Sequence, residues 1–180
     1  MLDDVGLVRQ AQGGDVRAFE ALVERHQRSV FALCYTILRS REEAEDAAQE
    51  AFVVAWERLP ALAEPLAWKA WLRRIAVSRS IDAARRRARR HAVSPLAQSA
   101  SGAVGAVSDS APLVASRDQI ERALARLAPE DRALIALRFY LDLEVADAAS
   151  AVGMRVGTAK SRLHRAMARL RTLLEDSNED

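Results

Sequence analysis

The side chains able to do chemistry in this sequence are mostly charges, and they are sorted by sign along the chain. Five arginines in six residues, Arg85, Arg86, Arg87, Arg89 and Arg90, follow Trp68 and Trp71. Guanidinium groups hold phosphates and aromatic rings stack on exposed bases, so this pairing suits a single-stranded or locally opened nucleic acid. Trp71, next to Leu72 and Ile75, reads mostly as core, whereas Trp68, beside a loop, suits stacking and core equally. A second basic block carries Arg155, Lys160, Arg162, His164, Arg165, Arg169 and Arg171, with no Asp or Glu from Ala148 to Leu174. Exposed helices ordinarily mix signs to gain i,i+4 pairs, so this exclusion of acids points to an anion-binding surface.

An acidic stretch, Glu42, Glu43, Glu45, Asp46, Gln49 and Glu50, precedes both basic blocks. Glu42 and Glu43 lie in a first helical turn, where the helix dipole favours them. Asp46 and Glu50 lie beyond that turn, four apart and unpaired. They fit a solvated face or the docking face for a basic protein partner.

Other chemistries find little support. There is no glycine-rich phosphate loop, and His26, His91 and His164 occupy unrelated settings. The one cysteine, Cys34, excludes a disulfide framework and any Cys-rich zinc site, and with His26 it reads as packing. No catalytic residue, metal or cofactor is expected, and the chain is not expected to be an enzyme. No basic-then-apolar leader opens the sequence and no apolar stretch is long enough to span a bilayer, so a cytoplasmic protein without membrane insertion is expected.

The elements that position these residues are helices. Half of the 180 residues are hydrophobic but only 5% aromatic, and Ala, Leu, Glu and Arg dominate. A short helical turn precedes Gly13-Gly14, and Asp15 is a candidate N-cap for a long helix over Val16–Leu38. Ser40-Arg41-Glu42-Glu43 has the form of a capping box and starts a second helix that Pro60 stops. A third runs from about Leu66 through Trp71 and Ile81 into the arginines. Residues 92–116 are rich in Ala, Ser, Gly and Val with Asp109 as the sole charge, and read as a flexible linker. From Arg117 come a helix to Leu127, a break at Pro129, a helix over about Glu130–Tyr140 and a final pair of helices.

That pair has the organisation of a helix-turn-helix. The Ala-rich run Val145–Val152 stops at Gly153, the residue type that most easily takes a left-handed cap. A second helix starting near Gly157-Thr158 has Leu163, Met167, Leu170 and Leu174 on one side. Lys160, Ser161, His164 and Arg165 form a stripe on another, suited to base edges in a major groove. Arg162 and Arg169 fall off that stripe and read as phosphate contacts. The expected fold is all-α: two small helical domains, residues 1–91 and 117–175, joined by a flexible linker over 92–116, with an acidic tail at 176–180.

Both domains together resemble the extracytoplasmic-function (ECF) sigma factors of bacterial RNA polymerase. The residues that carry the likeness are Asp15–Val23, Ala44–Phe52 with Ala55-Trp56, Trp71–Ala76, Ile81-Asp82 and the arginine run. In the second domain they are Leu124–Arg132 and Gly157–Ala166. The resemblance implies a DNA-binding factor for transcription initiation. It implies that the helix matching Ala44–Trp56 docks on core RNA polymerase through Glu45, Asp46, Gln49 and Glu50. It implies that Ala61–Arg90 recognises and opens the minus-10 promoter element, with a base extruded into the loop. Trp68, Trp71, Ser78, Arg79, Arg85, Arg86, Arg87, Arg89 and Arg90 would serve there. The helix-turn-helix would read the minus-35 element through Arg155, Thr158, Lys160, Ser161, Arg162, His164 and Arg165. Promoter DNA, core polymerase and an anti-sigma factor are the implied partners.

The chain departs from the family pattern at three places. Ser78 stands where an Asn is usual, the loop reads Ala61-Leu62-Ala63-Glu64-Pro65 without aromatic or basic residues, and Asp147-Ala148-Ala149 replaces Glu-Ile-Ala, with Ala159 in place of Val. A plain helix-turn-helix regulator would leave the acidic helix and the Trp/Arg helix without a role, and no heptad-like dimer seam is present. An amphipathic membrane binder would need a broad apolar face left over after packing.

Overall fold

The computed structural model describes residues 3–93 and 111–176, with side chains over 3–90 and 118–175. Most of the expected linker and the acidic tail after Asp176 lie outside the described residues. Among the described residues there are eight α-helices and no strand.

Helix α1 (Asp4–Gln12) is capped by Asp3, whose carboxylate accepts from Gly6 N. Asp15 caps α2 (Val16–Leu38), accepting from the N–H groups of Arg17 and Ala18. Helix α2 ends at Arg39, a non-glycine residue in the left-handed region (φ 57°). Such a conformation persists only where its surroundings hold it. Here the Arg39 guanidinium lies 4.9 Å from the Tyr35 ring centroid and pairs with Glu121 at 2.9 Å. Ser40 then caps α3 (Arg41–Arg58) through Glu43 N, but only half of the expected capping box forms. The Glu43 carboxylate instead pairs with Arg87 at 2.7 Å.

Two single 3-10 turns, Leu59–Ala61 and Pro65–Ala67, connect α3 to α4 (Trp68–Val93). The α4 helix thus begins at Trp68 rather than at the expected Leu66, because Pro65 and the turn it starts occupy the preceding residues. Alanines 44, 47, 48, 51 and 55 form the buried face of α3 and let it lie close to its neighbours. Leu22, Leu33, Ile37 and Leu38 of α2 and Leu72, Ala76 and Val77 of α4 fill the space between.

Helix α5 (Ala111–Ala125) starts earlier and ends sooner than the expected Arg117–Leu127. Pro129 sits at the first position of α6 (Pro129–Ile135), where its missing N–H is harmless. A π-helical turn, Ala136–Tyr140, extends α6, so this element reaches its expected end by a change of helix type. Gly153 (φ 72°) ends α7 (Val145–Val152), and Met154 N bonds back to Ala149 O at 2.8 Å. Helix α8 (Val156–Asp176) follows, with Ala159 and Ala166 buried and Leu163, Met167 and Leu170 partly buried beneath it.

The two helical domains are packed directly on each other. Helix α6 lies on the end of α2 and α7 lies on α4, and one buried apolar cluster runs from Leu7 through Ile37 to Leu134, Leu137, Ala149 and Ala159. Arg132 lies in this junction and is only 3% exposed. It donates from Nε to Ile37 O at 2.6 Å and from Nη1 to Leu127 O at 2.7 Å. Burial, then the nearby Arg87 and Arg39, push its pKa down to about 10.

Candidate nucleic-acid interface

The helix-turn-helix presents its polar stripe to solvent. Lys160, Ser161, His164 and Arg165 are all exposed, as are Arg155 and Thr158 at the start of the helix. Ser161 Oγ donates to Gly157 O (3.0 Å) and Arg165 Nε to Ser161 O (3.3 Å), so both side chains lean back along the helix axis. Arg162 does not belong to this surface. It is half-buried, donating from Nε to Asp131 at 2.8 Å, with Glu130 at 3.9 Å. Off the stripe on α8, its guanidinium meets the first turn of α6.

The Trp/Arg helix divides in a way the spacing alone does not reveal. Trp68 is 1% exposed, with Phe19, His26 and Trp71 around its ring, and so is not available to stack on a base. Trp68 lies on the face of α4 that carries Leu72 and Ala76 at four-residue intervals, and Phe19 and His26 cover that face at its start. Trp71 is the half-exposed one, reversing the expected balance between the two rings. With Arg74, exposed Ser78, Arg79 and Arg85 it lines a cleft of about 420 Å³. The opposite wall of that cleft is Ser150–Gly153 at the end of α7.

The five arginines are equally uneven. Arg87 bonds to Glu43 and to Leu38 O (3.2 Å), fastening α4 to the end of α2 and the start of α3. Its guanidinium is thus engaged within the protein. Arg85 pairs with Glu130 of the second domain at 3.2 Å, while Arg86 and Arg90 lie 3.9 and 3.8 Å from Glu50 and Glu43. Arg89 is exposed and makes no ion pair among the described residues. Arg79 pairs with Asp82 at 3.1 Å on its own helix.

On α3, Glu45, Asp46, Gln49 and Glu50 are all exposed along one face. Glu45 is engaged by Arg41 at 2.8 Å, and Glu50, expected to be unpaired, has Arg86 at 3.9 Å. At such exposure these pairs contribute little, about 0–1 kcal/mol each, so the face stays acidic towards a partner. Beside it a shallow groove is lined by Val23, Phe31 and Phe52.

His26 and Cys34 are packing residues, as their sequence context indicates. His26 Nε2 donates to Asp4 at 2.9 Å. Burial works against the Asp4 charge, but Arg25, His26 and Lys69 together hold its carboxyl below the ordinary value. Among the described residues no cluster of His, Cys, Asp and Glu could hold a metal, and no helix is long and apolar enough to cross a membrane. Two functional candidates lack any distinctive sequence signal. By charge and spacing Arg132, which closes a segment of family likeness, is one more arginine and Gln12 an ordinary helix terminus, yet both reach distant backbone carbonyls.

An acidic helix, a cleft of arginines around a tryptophan and a helix-turn-helix in one two-domain chain define a promoter-recognition factor of the sigma type. The Sigma-70 region 2 family model matches residues 22–90, and the Sigma-70 region 4 model matches residues 117–170. The chain is 35% identical over 171 residues to the ECF RNA polymerase sigma factor SigM of Mycobacterium tuberculosis, covering 95% of this chain and 84% of SigM. It is 28% identical over 178 residues to SigW of Bacillus subtilis, covering 94% and 95% respectively. Among solved structures, RpoE bound to the anti-sigma factor NepR from Bartonella quintana superposes with a TM-score of 0.72 at 28% identity, over 89% of this chain and 98% of RpoE. CnrH in complex with the cytosolic domain of CnrY gives 0.67 at 27%, over 96% and 97%. The chain belongs to the ECF sigma factors of RNA polymerase.

Proposed function

We propose that each surface described above serves one step of promoter-directed initiation. Asp46, Gln49, Glu50 and Glu45 dock the factor on core polymerase. Trp71, Ser78, Arg79, Arg85, Arg86, Arg89 and Arg90, with the connection before α4, engage and open the minus-10 element. Arg155, Thr158, Lys160, Ser161, His164 and Arg165 read the minus-35 element. The observation that carries this reading is the segregation of charge by surface: an acidic face on α3 and basic faces on α4 and α8. A factor binding DNA alone has no use for the first.

The protein acts in the cytoplasm, where the polymerase is, and supplies no catalysis of its own. RpoE and CnrH are each held in complex with a further polypeptide, NepR being an anti-sigma factor. We infer an anti-sigma partner for this chain as well. Run-off transcription with core polymerase on a library of genomic fragments tests the reading. Discrete transcripts that depend on this protein are expected; binding of promoter duplex by the protein alone, with no core-dependent transcript, would make it a plain helix-turn-helix regulator.

A further inference from the structure

We propose that Gln12 is a positioning residue for promoter opening. It holds the connection Leu59–Ala67 as a fixed cradle whose outward side chain, Leu66, meets the base that leaves the minus-10 duplex. This rests on the reading of that connection as minus-10 surface.

The connection has no aromatic or basic side chain with which to grip a base. What it has is rigidity. Leu59 and Leu62 are buried, Pro60 and Pro65 restrict the backbone, and each half closes its own turn, Leu62 N to Leu59 O (3.0 Å) and Ala67 N to Glu64 O (2.9 Å). Gln12 then ties the first half down from outside. Its Nε2 donates to Leu59 O at 3.1 Å and to Leu62 O at 2.7 Å. An amide nitrogen has two hydrogens, so the whole donor capacity of Gln12 is committed to this connection.

Gln12 is itself braced. It ends α1, whose Leu7, Val8 and Ala11 are buried and whose Asp4 is gripped by Arg25, His26 and Lys69. Helix α1 therefore transmits the position of the α2–α4 body to the cradle. It precedes residues 22–90, the segment matched by the region 2 model, so the brace adds to what that match covers.

The cradle presents Leu66, 77% exposed and the most exposed of the large apolar side chains described. A single exposed leucine is unremarkable by itself. On a rigid connection leading into a helix of arginines it has a use. Proteins that unstack base steps insert apolar side chains, and base extrusion must be offset by contacts in the extruded state. A connection that had to be ordered at that moment would add its conformational entropy to the barrier, and Gln12 removes that addition.

The test uses reconstituted holoenzyme on a promoter found by run-off transcription, with strand opening followed by permanganate reactivity. The variants are Gln12→Ala, Gln12→Glu (same size, no donor), Leu66→Ala and the Gln12→Ala/Leu66→Ala pair. Gln12→Ala and Gln12→Glu should each slow opening about tenfold, as two lost hydrogen bonds imply. Leu66→Ala should slow it as well, and the pair should be no slower than the worse single variant, because both act on one contact. A template with a pre-opened minus-10 bubble should restore all variants to the parent rate, an outcome that general loss of fold would not produce. Independent, multiplying effects or failure of the bubble to rescue would overturn the inference. So would normal opening in the Gln12 variants while Leu66→Ala is slow, which leaves the minus-10 reading standing. If Leu66→Ala is also silent on every minus-10 variant, the connection is not minus-10 surface, and both fail together.

Discussion

Arg132 of α6 donates from Nε to the carbonyl oxygen of Ile37 at the end of α2, at 2.6 Å, and joins the second domain to the first. Arg39–Glu121 and Arg85–Glu130 cross the same junction, and the end of α7 faces α4 across the arginine cleft. Two domains of this size in contact have centres about 25–30 Å apart. The minus-10 and minus-35 elements are about 25 base pairs apart, roughly 85 Å at about 3.4 Å per step. On the proposed assignment of the two domains to these elements, the closed arrangement is too short to engage both, and the domains separate on the way to the promoter.

That geometry gives the first prediction. Arg39→Glu places two like charges at the junction with Glu121 and should bias the free protein towards separated domains. Small-angle scattering should report a larger radius of gyration, and promoter binding by the free protein should rise. An unchanged scattering curve would show that the junction does not depend on this pair.

Removing Arg132 is a different experiment, because its guanidinium serves carbonyls on both sides. Arg132→Ala leaves the oxygens of Ile37 and Leu127 without a donor and should lower stability by about 2–4 kcal/mol in urea unfolding. A change below about 0.5 kcal/mol would mean that water replaces the guanidinium at no loss.

Core binding should respond to Asp46 and Glu50. Reversing both to Lys should abolish holoenzyme assembly on a native gel while circular dichroism and melting stay near the parent, since exposed reversals cost little stability. Assembly at the parent level would remove α3 as the docking face.

Within the arginine run the structure separates two roles. Arg89→Ala should leave stability unchanged and reduce the salt slope of promoter binding by about one unit. Arg87→Ala should instead cost about 1–3 kcal/mol of stability, because Glu43 keeps only the longer pair with Arg90 and Leu38 O loses its side-chain donor. Equal behaviour of the two in both measurements would refute the division.

A parallel contrast holds on α8. Arg165→Ala should cost about 1–3 kcal/mol at one or two minus-35 positions and leave minus-10 preference alone. Arg162→Ala should weaken the packing of α8 on α6 without base selectivity. A matrix of minus-35 variants decides it: a uniform loss with Arg165→Ala makes that residue a phosphate contact.

Cys34 offers a pH test. Burial pushes its thiol from 9.0 up to about 11, against a smaller opposing effect of the hydrogen bond with Ser80. A folded value above the unfolded one means that its contribution to stability is complete below pH 9 and is lost as pH rises through about 11. The native thiol should resist alkylation at pH 8 and react on unfolding, and Cys34→Ala should flatten the alkaline decline. Rapid labelling of the folded protein would contradict the burial.

Local signals were enough for much of this molecule. Asp15, Ser40, Pro129 and Gly153 mark helix ends because capping and backbone restriction are decided by the residue itself and its immediate neighbours. The exposed stripe Lys160, Ser161, His164 and Arg165 follows from helical spacing alone, as does the buried alanine face of α3. What spacing could not decide is which charge meets which. Trp68 and Trp71 are three residues apart on one helix, and only the packing of Phe19 and His26 makes the first the core residue. Arg87 differs from Arg89 because Glu43 and Leu38 O, more than forty residues earlier, come within reach of one and not the other. Arg132 and Gln12 owe their roles to carbonyls 95, 47 and 50 residues away. A hydrogen bond of that kind leaves no periodicity in the sequence, since either partner alone is an ordinary polar group. It exists only once the chain has closed the loop between them.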